Sequence, residues 1–142
     1  MRILIRNAAT LLFAALVAAP LLAAGKSQDI EATPQGKAYR ALEKTIAAGD
    51  YEAYKKGMAA ESAKGMDAQM KEMKMDPKEG MAFLKSMSPT DLKFTSLKVD
   101  GKKATLLATG KQGGEMNYGT IEMTEENGQW KVVKQSWTNK SK

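Results

Sequence analysis

The chain contains no cysteine and no histidine among its 142 residues. Without cysteine no disulfide staples the fold, so stability must come from a packed core. Without imidazole or thiol the commonest general base, the Ser-His and Cys-His nucleophile pairs and His/Cys zinc sites are all excluded. What chemistry remains runs on carboxylates, Tyr, Lys, Ser or Thr, and no cofactor is expected. Aromatic residues are scarce, at 6%. The apolar run Ala8–Ala19 falls short of the roughly 20 residues that span a bilayer. Dense clusters of positive charge are missing too. The net charge is +6, yet Lys55-Lys56 and Lys102-Lys103 are the only adjacent lysine pairs. Scattered lysines read as solvated surface, so nucleic acid is not an expected partner. Weak association with an anionic membrane surface remains compatible with the charge.

What is present begins with an address. Arg2 and Arg6, then the short apolar run, then Pro20 and Leu21-Leu22-Ala23-Ala24-Gly25 have the three-part layout of a secretory signal peptide. Residues 1–25 are therefore expected to be removed near Gly25, with a periplasmic or secreted product. The alternative is retention of the apolar run as an anchor. No cysteine follows to receive a lipid. Residues 26–33 are polar and read as a flexible N-terminus. Residues 34–142 suit one domain.

Helical periodicity starts at Pro34, with Thr33 as cap and Pro34 in the first helical position. Tyr39, Leu42 and Ile46 share one apolar face, and Gly49 ends the helix. Asp50 caps a second helix carrying Tyr51, Tyr54 and Met58. A third pattern, about Ala59 to Lys74, aligns Ala63, Met66, Met70 and Met73. A fourth opens on Asp76-Pro77-Lys78-Glu79, a capping-box arrangement, with Phe83, Leu84 and Met87 as its apolar face and Ser88-Pro89 as its stop. Strands follow over 91–99, 102–109, 115–124 and 129–138. They are separated by Asp100-Gly101, a five-residue link at Gly110–Gly114, and Asn127-Gly128. The pair Leu92/Phe94 is out of phase with Leu97/Val99, which predicts a bulge near Thr95-Ser96. Helices followed by an antiparallel meander make the class α+β.

The helix ending in Gly49-Asp50 that runs straight into another, the pair of hairpins, and the terminal Gly128-Gln129-Trp130-Lys131-Val132-Val133 together resemble small exported bacterial members of the nuclear transport factor 2-like superfamily. The resemblance covers about residues 34–138. It implies N-terminal helices packed on a curved antiparallel sheet, cone-like, with a pocket between them; this chain offers a four-stranded meander where larger members of the family have more strands. The methionine-rich stretch Met58–Met75 departs from the family's usual middle. The scaffold hosts isomerases, dehydratases and binding modules, so fold alone does not choose among them.

If the cone forms, Tyr39, Tyr54, Phe83, Phe94, Tyr118 and Trp130 are the pocket candidates, their rings supplying apolar area and the tyrosine hydroxyls orienting a ligand. The competing reading is that they fill a small core. An isomerase-type site would need a carboxylate in an apolar pocket with Tyr as partner. Glu115 and Glu122 with Tyr118 are available, although Glu122 between Ile121 and Met123 points to water if the apolar side faces in. Met66, Met70 and Met73 lie on one helical face. Thioethers select Cu(I) or Ag(I), but such a stripe is more often core or a docking surface. The expectation is an exported, non-catalytic domain that binds a small apolar molecule or an envelope partner protein. Carboxylate-based isomerase or dehydratase activity and Cu(I) binding are the rivals.

Overall fold

The computed structural model describes residues 27–140. The expected signal segment lies outside the described residues. Among the described residues five helices precede four strands: α1 Ser27–Glu31, α2 Pro34–Ala48, α3 Tyr51–Gly57, α4 Ala60–Glu72, α5 Pro77–Met87, β1 Thr90–Asp100, β2 Lys103–Gln112, β3 Glu115–Glu126 and β4 Gln129–Thr138. The strands form one antiparallel sheet in the order β1-β2-β3-β4. The class is α+β, with a curled sheet that does not close.

Local chemistry explains the helix boundaries. The Thr33 hydroxyl accepts from Gly36 N at 3.0 Å, and Pro34 takes the first helical position. Gly49 ends α2 at φ +71°, a left-handed conformation that costs glycine little. Asp50 accepts from Ala53 N at 3.0 Å and starts α3. At α5 both halves of the capping box are made. Glu79 N donates to Asp76 at 2.8 Å, and Asp76 N donates to Glu79 at 3.0 Å.

Residues 27–33, part of the segment read as a flexible N-terminus, are held against the core. Ser27–Glu31 is helical, and Ile30, 2% exposed, joins the core. Gly36 permits this close crossing: a Cβ there would stand 2.0 Å from the Ile30 carbonyl oxygen. One apolar residue in a polar run gave no periodicity to read.

The core lies between α1–α3, α5 and the inner face of the sheet. It holds Ile30, Tyr39, Leu42, Ile46, Tyr51, Tyr54, Met81, Leu92, Phe94, Leu97, Leu106, Ile121, Met123 and Val132. On α5 the buried side is Gly80 and Met81, with Leu84 half-buried. Phe83 and Met87, expected on the apolar face, are 53% and 55% exposed. On α4 no residue is fully buried. Met66 and Met70 pack against the core, whereas Met73 is exposed.

The predicted bulge is present, as a register shift between Phe94 and Ser96. A further shift falls between β3 and β4, where Glu122 pairs with Lys134 but Met123 pairs with Val132, leaving Val133 extra. Because strand side chains alternate faces, that one residue decides the end of β4. It turns Gln135 and Trp137 inward and Lys134 and Ser136 outward. The α3–α4 link clips the same place: Ala59 N donates to Val132 O at 2.8 Å, and the Ser62 hydroxyl to Val133 O at 2.7 Å. The link expected at Gly110–Gly114 is shorter. Strand β2 continues through Gln112, and Gly113-Gly114 alone make the turn, both with positive φ.

Candidate functional site

The inner face of the sheet is uneven along its length. One rung across the four strands reads Phe94–Ala108–Gly119–Trp137, with large residues at the ends and small ones between. The Trp137 indole lies over Gly119, where a Cβ would stand 2.7 Å from the ring. Pro89 sits in the same way on Gly110, at 2.7 Å. The next rung inward is Leu97–Leu106–Ile121–Gln135, so a single amide stands in an otherwise aliphatic row.

Helix α2 crosses this region. Its Tyr39 hydroxyl donates to Gln135 Oε1 at 2.6 Å, and its ring meets Phe94 edge-on at 6.0 Å between centroids. Trp137 Nε1 donates to the same oxygen at 3.5 Å. The helix does not close over the end of the sheet. Between α2, the last turn of α5 and the end of β4 lies a cleft of about 760 Å³. Ile46, Ala47, Leu84, Met87, Pro89 and Trp137 supply its apolar lining, and Tyr39 and Gln135 its polar inner end. That volume falls within the range of small-molecule sites.

Arg40, Glu43, Lys44 and Lys85 also line the cleft. Arg40 is already engaged. Its Nε donates to Glu31 at 3.0 and 3.1 Å, Nη1 to Glu43 at 2.8 Å and Nη2 to the Leu92 carbonyl at 2.8 Å, and its guanidinium stacks 4.8 Å from the Phe94 ring centre. Burial raises the Glu43 pKa, and the Arg40 guanidinium opposes the rise. Tyr39 is raised well above the ordinary tyrosine value, chiefly by burial and then by the Glu43 charge. Burial likewise raises Tyr54, which a hydrogen bond with Gln135 partly offsets. Both tyrosines therefore keep their hydroxyl hydrogens near neutral pH.

Of the six candidate pocket residues, Tyr39 alone lines the cleft. Tyr54 and Phe94 are core, Phe83 is exposed on α5, and Tyr118 is 37% exposed on the opposite face of the sheet. Trp130 is half-buried beside the last hairpin, opposite Glu125. These placements have one cause: an apolar period tells that a face is buried, not what it is buried against. Glu115 is exposed, and Glu122 lies on the outer face, 3.5 Å from Lys134. The carboxylate that does stand in the cleft is Glu43. The Met70 thioether packs on Gly80 of α5, where a Cβ would fall 2.5 Å from its sulfur. The described residues hold no cluster of three or more acids suited to a metal ion, and no helix long and apolar enough to cross a membrane. Sequence reasoning missed Gln135, Arg40 and Glu43 as cleft residues and left Trp137 out of the pocket set. The available signal was the Gln135/Trp137 alternation out of phase with Val132. The chain matches no known protein family, no curated protein and no solved structure.

Proposed function

We propose that this chain is an exported, non-catalytic binding domain of the nuclear transport factor 2-like kind. In this reading the cleft beside Trp137 takes a small, largely apolar molecule whose polar group meets Gln135 and Tyr39. One observation carries the reading: a cleft of about 760 Å³ with apolar walls and an amide–phenol pair at its inner end. Apolar walls supply affinity through burial, and few polar groups fix orientation. The leader-like residues 1–25 support an envelope location. The order of helices, then a curled meander, is what the family resemblance implies.

Ala47 is exposed and lines the cleft, so Ala47→Trp fills the space without touching the core. Twelve-carbon amphiphiles are expected to raise the melting temperature of the parent protein by mass action and to leave Ala47→Trp unaffected. Equal shifts in both proteins would remove the proposal.

The enzymatic rival would use Glu43, whose pKa is raised by burial and which shares the cleft with Tyr39. Turnover in the parent and in Glu43→Gln separates the two readings. Binding predicts no turnover in either protein, and catalysis predicts turnover in the parent that the variant loses. The partner-protein reading draws on Phe83 and Met87, both exposed, with Met87 at the cleft wall.

A further inference from the structure

The charges along the cleft do not cancel. Arg40 stands between Glu31 and Glu43 and bonds to both, a trio of one cation and two carboxylates that no lysine joins at ion-pair distance among the described residues. Lys44 and Lys85 are left over. Both are exposed, both line the cleft, and the ion pairs among the described residues engage Arg40, Lys55, Lys64, Lys111 and Lys134 instead.

Lysines near helix C-termini often answer the unpaired carbonyls there. Several carbonyls near these two helix ends already have other partners. On α5 the Ser86 hydroxyl donates to Phe83 O at 2.7 Å, the Ser88 hydroxyl to Leu84 O at 2.7 Å, Ser88 N to Lys85 O at 3.3 Å, and the Gln112 amide to Met87 O. On α2 the Thr45 hydroxyl donates to Leu42 O at 2.7 Å, Gly49 N to Ile46 O at 3.1 Å, and Asp50 N to Thr45 O at 3.0 Å. Lys44 on α2 and Lys85 on α5 both line the apolar trough, and no ion pair among the described residues engages either.

Resting on the cleft-binding proposal, we infer that the occupant is an anionic amphiphile, a single-chain carboxylate of the fatty-acid class. Its tail lies along Ile46, Ala47, Leu84, Met87 and Trp137. Its head lies at the mouth, where Lys44 on α2 and Lys85 on α5 approach it from opposite walls. A neutral or cationic head would leave those two charges unanswered, and a cation would meet like charge.

The test uses dodecanoate, dodecan-1-ol and dodecyltrimethylammonium, each below its aggregation concentration, on the parent protein, Lys44→Gln/Lys85→Gln and Ala47→Trp. Dissociation constants are read by titration calorimetry at low and high salt. In the parent, dodecanoate binds about tenfold more tightly than dodecan-1-ol at low salt, and the margin narrows with salt. In the double lysine variant the margin falls below about twofold while alcohol binding is unchanged. Equal affinity for acid and alcohol in the parent overturns the anionic assignment and leaves the cleft as a binding site. So does a margin that survives the lysine replacements, or tighter binding of the ammonium. Loss of all binding in the parent removes the cleft proposal and this assignment together.

Discussion

Gly119 shows how much one residue can decide. Its missing side chain is what lets Trp137 lie flat on the sheet. Adding a methyl group there forces the ring away, at a cost of about 1–3 kcal/mol for an overpacked contact. In a Trp130→Phe background, Gly119→Ala should lower the urea midpoint and shift the remaining indole emission to the red. An unchanged spectrum would mean that Trp137 does not rest on the sheet. Gln135 is held from one side by Tyr39, at 2.6 Å. Tyr39→Phe removes a single hydrogen bond and should cost about 1 kcal/mol. Trp137 Nε1 then remains as a donor to the Gln135 oxygen.

Elements carry the next lesson. Helix α1 has five residues and is too short to persist alone. Packing against β1 holds it, through Ile30 and through the Glu31–Arg40 pair. Ile30→Ala should therefore cost about 2–5 kcal/mol, the range for truncating a fully buried aliphatic residue. A frayed segment would show almost no change in thermal unfolding. Helix α5 rests on local chemistry instead. Its capping box was legible in Asp76-Pro77-Lys78-Glu79, and Asp76→Ala should cost about 1 kcal/mol, read from the denaturant midpoint. Which side of α5 is buried was not legible. Gly80 lies against the Met70 thioether and Met81 joins the core, and this leaves Phe83 and Met87 outside. Both alternatives satisfy a helical period, and only the position of α4 chooses between them.

For the molecule as a whole, three buried tyrosines couple folding to alkaline pH. Tyr39 and Tyr54 are raised by burial, and Tyr51 is pushed up to about 12 by burial and by its hydrogen bond to Asp67. Their folded pKa values lie above the unfolded value of about 10. The stability they contribute is thus fully present below pH 10 and is lost as pH rises through the folded values. The unfolding free energy should fall steeply above about pH 10, and Tyr39→Phe should flatten that limb. A slope unchanged by the replacement would show that Tyr39 ionises in the folded state as readily as in the unfolded chain.

The sequence alone determined the α+β class, the order of helices before strands, three of the hairpin and helix boundaries through Gly49, Asp76-Pro77 and Asn127-Gly128, and the bulge at Phe94/Ser96. Each of these depends on backbone geometry or on side-chain period within a few residues, which is information a local stretch contains. The cleft was decided elsewhere. It needs Gly119 opposite Trp137, Gly110 beneath Pro89, Tyr39 reaching Gln135 across 96 positions of chain, and the extra residue at Val133 that turns the end of β4 inward. Contacts between residues far apart in sequence exist only after the sheet has paired and the helices have docked. No period or motif along the chain therefore marks the place where its surface opens.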